Sequence, residues 1–134
     1  MWHVAIETLA VPPKVLLISP VPAPLTRIED NRRVELERIF ACPVDVIELS
    51  HLDFTPEQLA HEVRAAAPDA VVITSAPLEY RKVIGEIAPH TPLLRPVHEE
   101  YRNHRGYVEK RLVGYGRDRN GRVELLTDGA LAGN

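Results

Sequence analysis

The sequence predicts an α/β fold: a mostly parallel sheet with helices on both faces, a three-layer sandwich, finished by a C-terminal antiparallel β-hairpin. Three observations predict it. Residues 14–19 and 70–75 are short, nearly continuous apolar runs, the signature of strands buried on both faces. The stretches between such runs carry apolar residues at helical spacing and are bounded by prolines. Near the end of the chain, Asn120-Gly121 is the favoured pair for a tight hairpin turn.

Each element follows in order. Lys14–Ser19 is a strand that stops at Pro20, and the proline-rich loop after it leads to Thr26-Arg-Ile-Glu29, a capping-box pattern. Leu25, Ile28, Leu36, Ile39 and Phe40 extend that helix to about Ala41, and Cys42-Pro43 ends it. Val44–Leu49 is the second strand. Thr55-Pro56-Glu57-Gln58 supplies an N-cap with proline at the first helical position, and Leu59, Val63 and Ala66 form the buried stripe before Pro68. Ala70–Ser75 is the third strand, and Pro77 opens a helix carrying Leu78, Val83, Ile84 and Ile87 that terminates near Pro89. Thr91–Val97 is a fourth strand whose prolines suit an edge better than a centre.

That alternation implies parallel strands joined by right-handed crossovers. Tyr107–Tyr115 and Arg122–Leu126 flank Asn120-Gly121 as a hairpin, added to the sheet or used as an arm. A single domain spans 1–134, with 14–97 as the core, 107–126 as the hairpin, and 1–13 as an N-terminal extension or extra edge strand.

Composition sets the class. Hydrophobic residues make up 45% of the 134 positions and charged residues 26%, which excludes general disorder. No run approaches the ~20 apolar residues of a membrane helix, so no membrane partner is expected. The N-terminus lacks a basic segment followed by an apolar one, and Cys42 is the single cysteine, which excludes an internal disulfide. A reducing cytoplasm fits both.

Charge is divided along the chain. Residues 1–80 carry 6 basic against 12 acidic side chains, whereas residues 81–122 carry 10 against 5, with His90, His98 and His104 besides. A mildly acidic protein with a basic C-terminal third suggests a local anion site and no long nucleic acid. Arginines facing solvent along strands and loops explain the same pattern.

Ligands of open α/β sheets bind outside the carboxyl ends of the strands, near the point where strand order reverses. The residues just past the strands are Ser19, then Ser50 and His51, then Thr74 and Ser75, then His98. Thr74-Ser75-Ala76-Pro77 passes straight from strand to helix through small residues, presenting backbone N–H groups and the positive end of the helix dipole to an anion. The alternative there is that Thr74 or Ser75 only caps the helix. His51 or His98 suits proton transfer near neutral pH, or simply supplies loop polarity. Tyr80, Arg81 and Lys82 sit in the first turns of the third helix, away from its apolar stripe, in reach of an anion or merely solvated. Arg95, inside a strand, points to solvent or is paired.

No glycine-rich phosphate loop is present, and Gly114 and Gly116 fall within the hairpin. The third strand lacks the terminal carboxylate of a receiver domain, no Cys/His spacing suits a metal, and no cofactor is implied.

Val71-Val-Ile-Thr-Ser-Ala-Pro-Leu78 with its helix, His51-Leu-Asp53 and Thr91-Pro-Leu-Leu-Arg95 resemble the compact, Rossmann-like ring nucleases, related to CARF domains, associated with type III CRISPR systems. The likeness covers roughly residues 14–97. It implies a symmetric homodimer that binds cyclic oligoadenylate and cleaves it without metal, a ribose 2′-hydroxyl attacking the adjacent phosphorus. Ser75 and the helix N-terminus would hold the phosphate, Arg81 or Lys82 would add positive charge, and His51 or His98 would be the acid or base, with Ser19, Ser50, Thr74, Ala76, Tyr80 and Arg95 as further binding residues. Two other readings stand beside it: a non-catalytic sensor for a small nucleotide-like anion using the same rim, and an assembly subunit joined through the hairpin.

Overall fold

The computed structural model describes residues 11–19, 27–50, 54–74, 78–119 and 122–133. Among them six strands form one sheet: β1 (Lys14–Ser19), β2 (Asp45–Ser50), β3 (Ala70–Ile73), β4 (Leu93–Arg102), β5 (Val108–Arg119) and β6 (Arg122–Leu125). Three helices connect the first four strands: α1 (Arg27–Phe40), α2 (Pro56–Ala66) and α3 (Leu78–Ile87). The spatial order is β2-β1-β3-β4-β5-β6, parallel through β4 and antiparallel from β4 to β6.

Alternation along the central strands feeds two cores. Val15, Leu17, Val72 and Leu94 face Leu36, Ile39 and Phe40 of α1, whereas Leu16, Ile18, Val71 and Ile73 face Leu59 and Val63 of α2 and Ile84 of α3. Helices therefore cover both faces, as the continuous apolarity of β1 and β3 requires.

The helices end where the sequence places breakers. Thr55 accepts a hydrogen bond from the Gln58 N–H at 3.2 Å, and the Gln58 side chain accepts one from the Thr55 N–H at 2.9 Å, a complete capping box. α2 closes on Ala67, in the left-handed region at φ 47°, before Pro68; α1 stops one residue short of its expected end because Ala41 takes φ 57°. Residues 129–131 seal that end of α1: the Gly129 N–H donates to the Arg38 carbonyl at 2.9 Å, the Leu131 N–H donates to the Ile39 carbonyl at 3.0 Å, and Leu131 is buried. The expected cap at Thr26, the extension at 1–10 and the turn at Asn120-Gly121 lie outside the described residues. β5 and β6 pair up to Arg119↔Arg122, flanking that turn.

The fourth strand departs from expectation. It is interior, not an edge, and it runs on to Arg102. Its prolines are tolerated because pairing with β3 covers only Val71↔Leu93 and Val72↔Leu94. The Pro92 carbonyl accepts from the Val71 N–H at 2.9 Å, so Pro92 turns toward β3, and Pro96, four residues on, turns the same way. Its missing N–H falls where β3 has already ended.

Beyond that point β4 and β5 form a two-stranded arm, residues 98–102 against 108–112. The expected strand 107–115 is really 108–119, and it belongs to two hairpins. The Asn103 carbonyl accepts from the Gly106 N–H, its side-chain oxygen accepts from the Arg105 and Tyr107 N–H groups, and Gly106 sits at φ 85°, which favours glycine.

Candidate functional site

Strand order reverses between β1 and β3, because β2 lies on one side of β1 and β3 on the other. At the carboxyl ends of these strands, on the α1 face, lies a cavity of about 360 Å³. Leu17, Pro96, Leu112 and Tyr115 supply apolar surface, Thr74 supplies a hydroxyl, and Arg32, His98 and Lys110 supply basic groups; Arg111 also borders the cavity, but its guanidinium is engaged by Glu99.

The arm makes one wall. Register shifts between Val97 and His98, so that Val97 stands opposite Gly114 but His98 opposite Leu112, leaving Val113 as an extra residue on β5. That bulge changes the parity of β5, and Leu112 packs against the same core as Tyr115 although the two are three residues apart. Lys110, two residues before Leu112, is carried to the cavity by the same change.

The arm's other side is tied internally. Arg111 ion-pairs with Glu99 and stacks over the Tyr101 ring, 5.2 Å from its centroid. The Tyr101 hydroxyl donates to Glu109 at 2.6 Å, and the Asn103 amide donates to the same carboxylate at 2.7 Å. These two bonds hold the Glu109 carboxyl below its usual range, and the bond to Glu109 holds the Tyr101 phenol above its own.

Tyr115, opposite Pro96 on β5, is fully buried, and burial pushes its phenol well above the usual range. Nearby Arg32 acts against that shift and Glu35 with it. Its hydroxyl has no hydrogen-bond partner among the described residues.

Of the sequence-predicted residues, the cavity gathers Thr74 and His98. Thr74 donates through both its N–H and its hydroxyl to the Ile18 carbonyl, at 3.0 and 3.3 Å, which fixes the end of β3 beside β1. Ser19 and Ser50 stand opposite each other in the last β1–β2 pair. Arg81 and Arg95 are brought together on the other face of the sheet from Leu94, both directed at Asp118. Burial and the neighbouring Arg95 lower the pKa of Arg81, against the pull of Asp118. Tyr80 is not turned away from the apolar stripe, as its spacing suggested: it packs on the Leu16–Ile18 core and donates to the Phe54 carbonyl at 3.0 Å. Lys82 is exposed on α3. His51, Ser75 and Ala76 lie outside the described residues.

The sequence reading missed Arg32, Lys110, Arg111 and Tyr115. The signal for three of them was present: Asn103 and Gly106 at turn spacing fold the chain back, which returns residues 108–115 to the rim.

The chain matches no family model, no curated protein and no solved structure. Among the described residues, no three His, Cys, Asp or Glu side chains gather as a metal set, and no helix is long and apolar enough to cross a membrane.

Proposed function

We propose that this protein binds a small nucleotide-like anion in the cavity at the ends of β1 and β3. The observation that carries the reading is the placement of Arg32, His98 and Lys110 around an apolar floor at the point of strand-order reversal. Cationic groups over apolar surface suit a ligand with a ring system and a phosphate.

The sharper form of the proposal is a Rossmann-like ring nuclease acting on cyclic oligoadenylate. In that reaction the O2′–phosphorus bond forms as the phosphorus–O5′ bond breaks. A base takes the 2′-hydroxyl proton, an acid supplies one to the departing oxygen, and a 2′,3′-cyclic phosphate remains. The protein must align these oxygens and offset charge on the phosphate. Lys110 and Arg32 take the charge-bearing part first given to Arg81 and Lys82, and His98 is the acid or base among the described residues. At about 360 Å³ the cavity is at the small end of ligand sites, so a ring would span two copies of the chain in a homodimer. A reducing cytoplasm suits the lone Cys42.

The test is incubation of the purified protein with cyclic tetra- and hexa-adenylate in EDTA, with products resolved by mass spectrometry. Linear products ending in a 2′,3′-cyclic phosphate support the nuclease. Intact rings with a raised melting temperature leave a non-catalytic sensor. Neither cleavage nor a shift removes both. Unchanged turnover in His51→Ala and in His98→Ala would remove the acid–base assignment.

The assembly reading draws on β6, whose four residues are all exposed at the sheet edge. Removing residues 107–126 does not test it, because Tyr115 belongs to the core; Val123→Lys, which charges the edge alone, does.

A further inference from the structure

We infer that the Tyr115 hydroxyl recognises the occupant of the cavity, an inference that rests on the anion-binding reading above. Tyr115 is the largest fully buried side chain among the described residues, it lines the cavity, and its oxygen has no hydrogen-bond partner among them. A buried hydroxyl without a partner destabilises the fold, whereas phenylalanine would fill the same volume without that cost. Among the described residues this oxygen has nothing to bond; an occupant of the cavity can supply an acceptor.

The surroundings define what that ligand carries. Leu17, Pro96 and Leu112 offer contact to a flat, weakly polar body, and Lys110 and Arg32 offer charge to an anionic group. The phenol, kept protonated by burial, has a hydrogen bond to donate to such an occupant. The occupant therefore combines a ring system, an acceptor atom on it and an anionic group. A nucleoside monophosphate has all three; inorganic phosphate lacks the body and a nucleoside lacks the charge.

The experiment compares wild type and Tyr115→Phe by thermal denaturation with adenosine monophosphate, adenosine and inorganic phosphate. The free variant should melt about 3 °C or more above wild type, because an unsatisfied group has been removed. It should bind the monophosphate about tenfold more weakly, while its phosphate affinity stays within about twofold. A variant that binds the monophosphate as tightly as wild type, or that melts lower when free, overturns the inference. If wild type binds none of the three probes, the anion-binding reading itself fails and takes this inference with it. Should the variant not fold, the tyrosine absorption band of wild type decides: a red shift on adding the monophosphate supports the hydrogen bond, and an unmoved band overturns it.

Discussion

Arg95 and Arg81 converge on one oxygen of Asp118, at 2.6 and 4.0 Å. One comes from β4 and the other from α3, so this carboxylate joins the sheet to a helix across the face opposite the cavity. It also offsets the repulsion between two guanidiniums: burial and then Arg95 lower the pKa of Arg81, and Asp118 acts against both. Asp118→Asn keeps the shape and removes the charge. We expect a loss of about 1 kcal/mol in urea unfolding, smaller when Arg81→Gln is added, because the repulsion then disappears with its source.

The arm has two pH limits. The Glu109 carboxyl is lowered from its usual 4.5 by bonds it accepts only in the folded arm, so its contribution is present above that value and lost as pH falls through the folded one. The Tyr101 phenol is raised from 10.0 by the same contact, so its contribution is present below 10.0 and lost as pH rises through the folded value. Amide exchange at residues 98–112 should accelerate at both extremes ahead of the central strands. Tyr101→Phe should abolish the alkaline limb and weaken the acid one.

Two glycines give opposite outcomes. A Cβ on Gly116 would lie 2.7 Å from the Val123 side chain and 2.9 Å from the Glu124 carbonyl, so Gly116→Ala pushes β6 away and costs about 1–3 kcal/mol. A Cβ on Gly85, inside α3, meets nothing within 4 Å, and Gly85→Ala should add about 0.5–1 kcal/mol of helix stability. Chemical denaturation of both variants checks the pair.

Leu131 anchors the segment that seals α1. It is 4% exposed in the α1-side core, and Leu131→Ala should cost about 2–4 kcal/mol, read as a lower denaturation midpoint at unchanged slope.

Lys110→Gln removes one cation from the cavity and none from the core. Monophosphate affinity should fall about fivefold and its salt dependence should flatten, with the melting temperature of the free protein unchanged within about a degree. Titration at two salt concentrations measures both.

Much of the fold was legible because local chemistry agreed with tertiary structure. Apolar continuity marked β1 and β3, and Thr55-Pro56 with Gln58 marked the start of α2 to the residue. The fourth strand was misjudged because proline was weighed against an interior position without asking which neighbour its missing N–H would face. The arm was overlooked for a related reason: residues 98–102 are exposed and carry little apolar periodicity, and their strand pairing comes from the Asn103–Gly106 turn and from charges opposite them. The candidate cavity's position was legible, but most of its lining was not. Strand-end residues Thr74 and His98 line the cavity, whereas Lys110 reaches it through a bulge that sequence periodicity does not announce. Arg81 and Arg95, read as neighbours of the rim, found each other on the opposite face.

The end of β3 at Ile73 has a thermodynamic consequence. Past Leu94 the fourth strand has a partner only in β5, and residues 98–102 and 108–111 are exposed, so little apolar surface holds the arm closed. Such a ribbon opens as its own cooperative unit, with a free energy far below that of global unfolding. Thr74 remains with the core when it opens, while His98, Lys110 and Arg111 leave. The apparent dissociation constant of any occupant is then its intrinsic value divided by the closed fraction of the ribbon. On the proposed anion-binding reading, residues that do not line the cavity, Gly106 and Asn103 among them, set that fraction and so tune affinity from outside it.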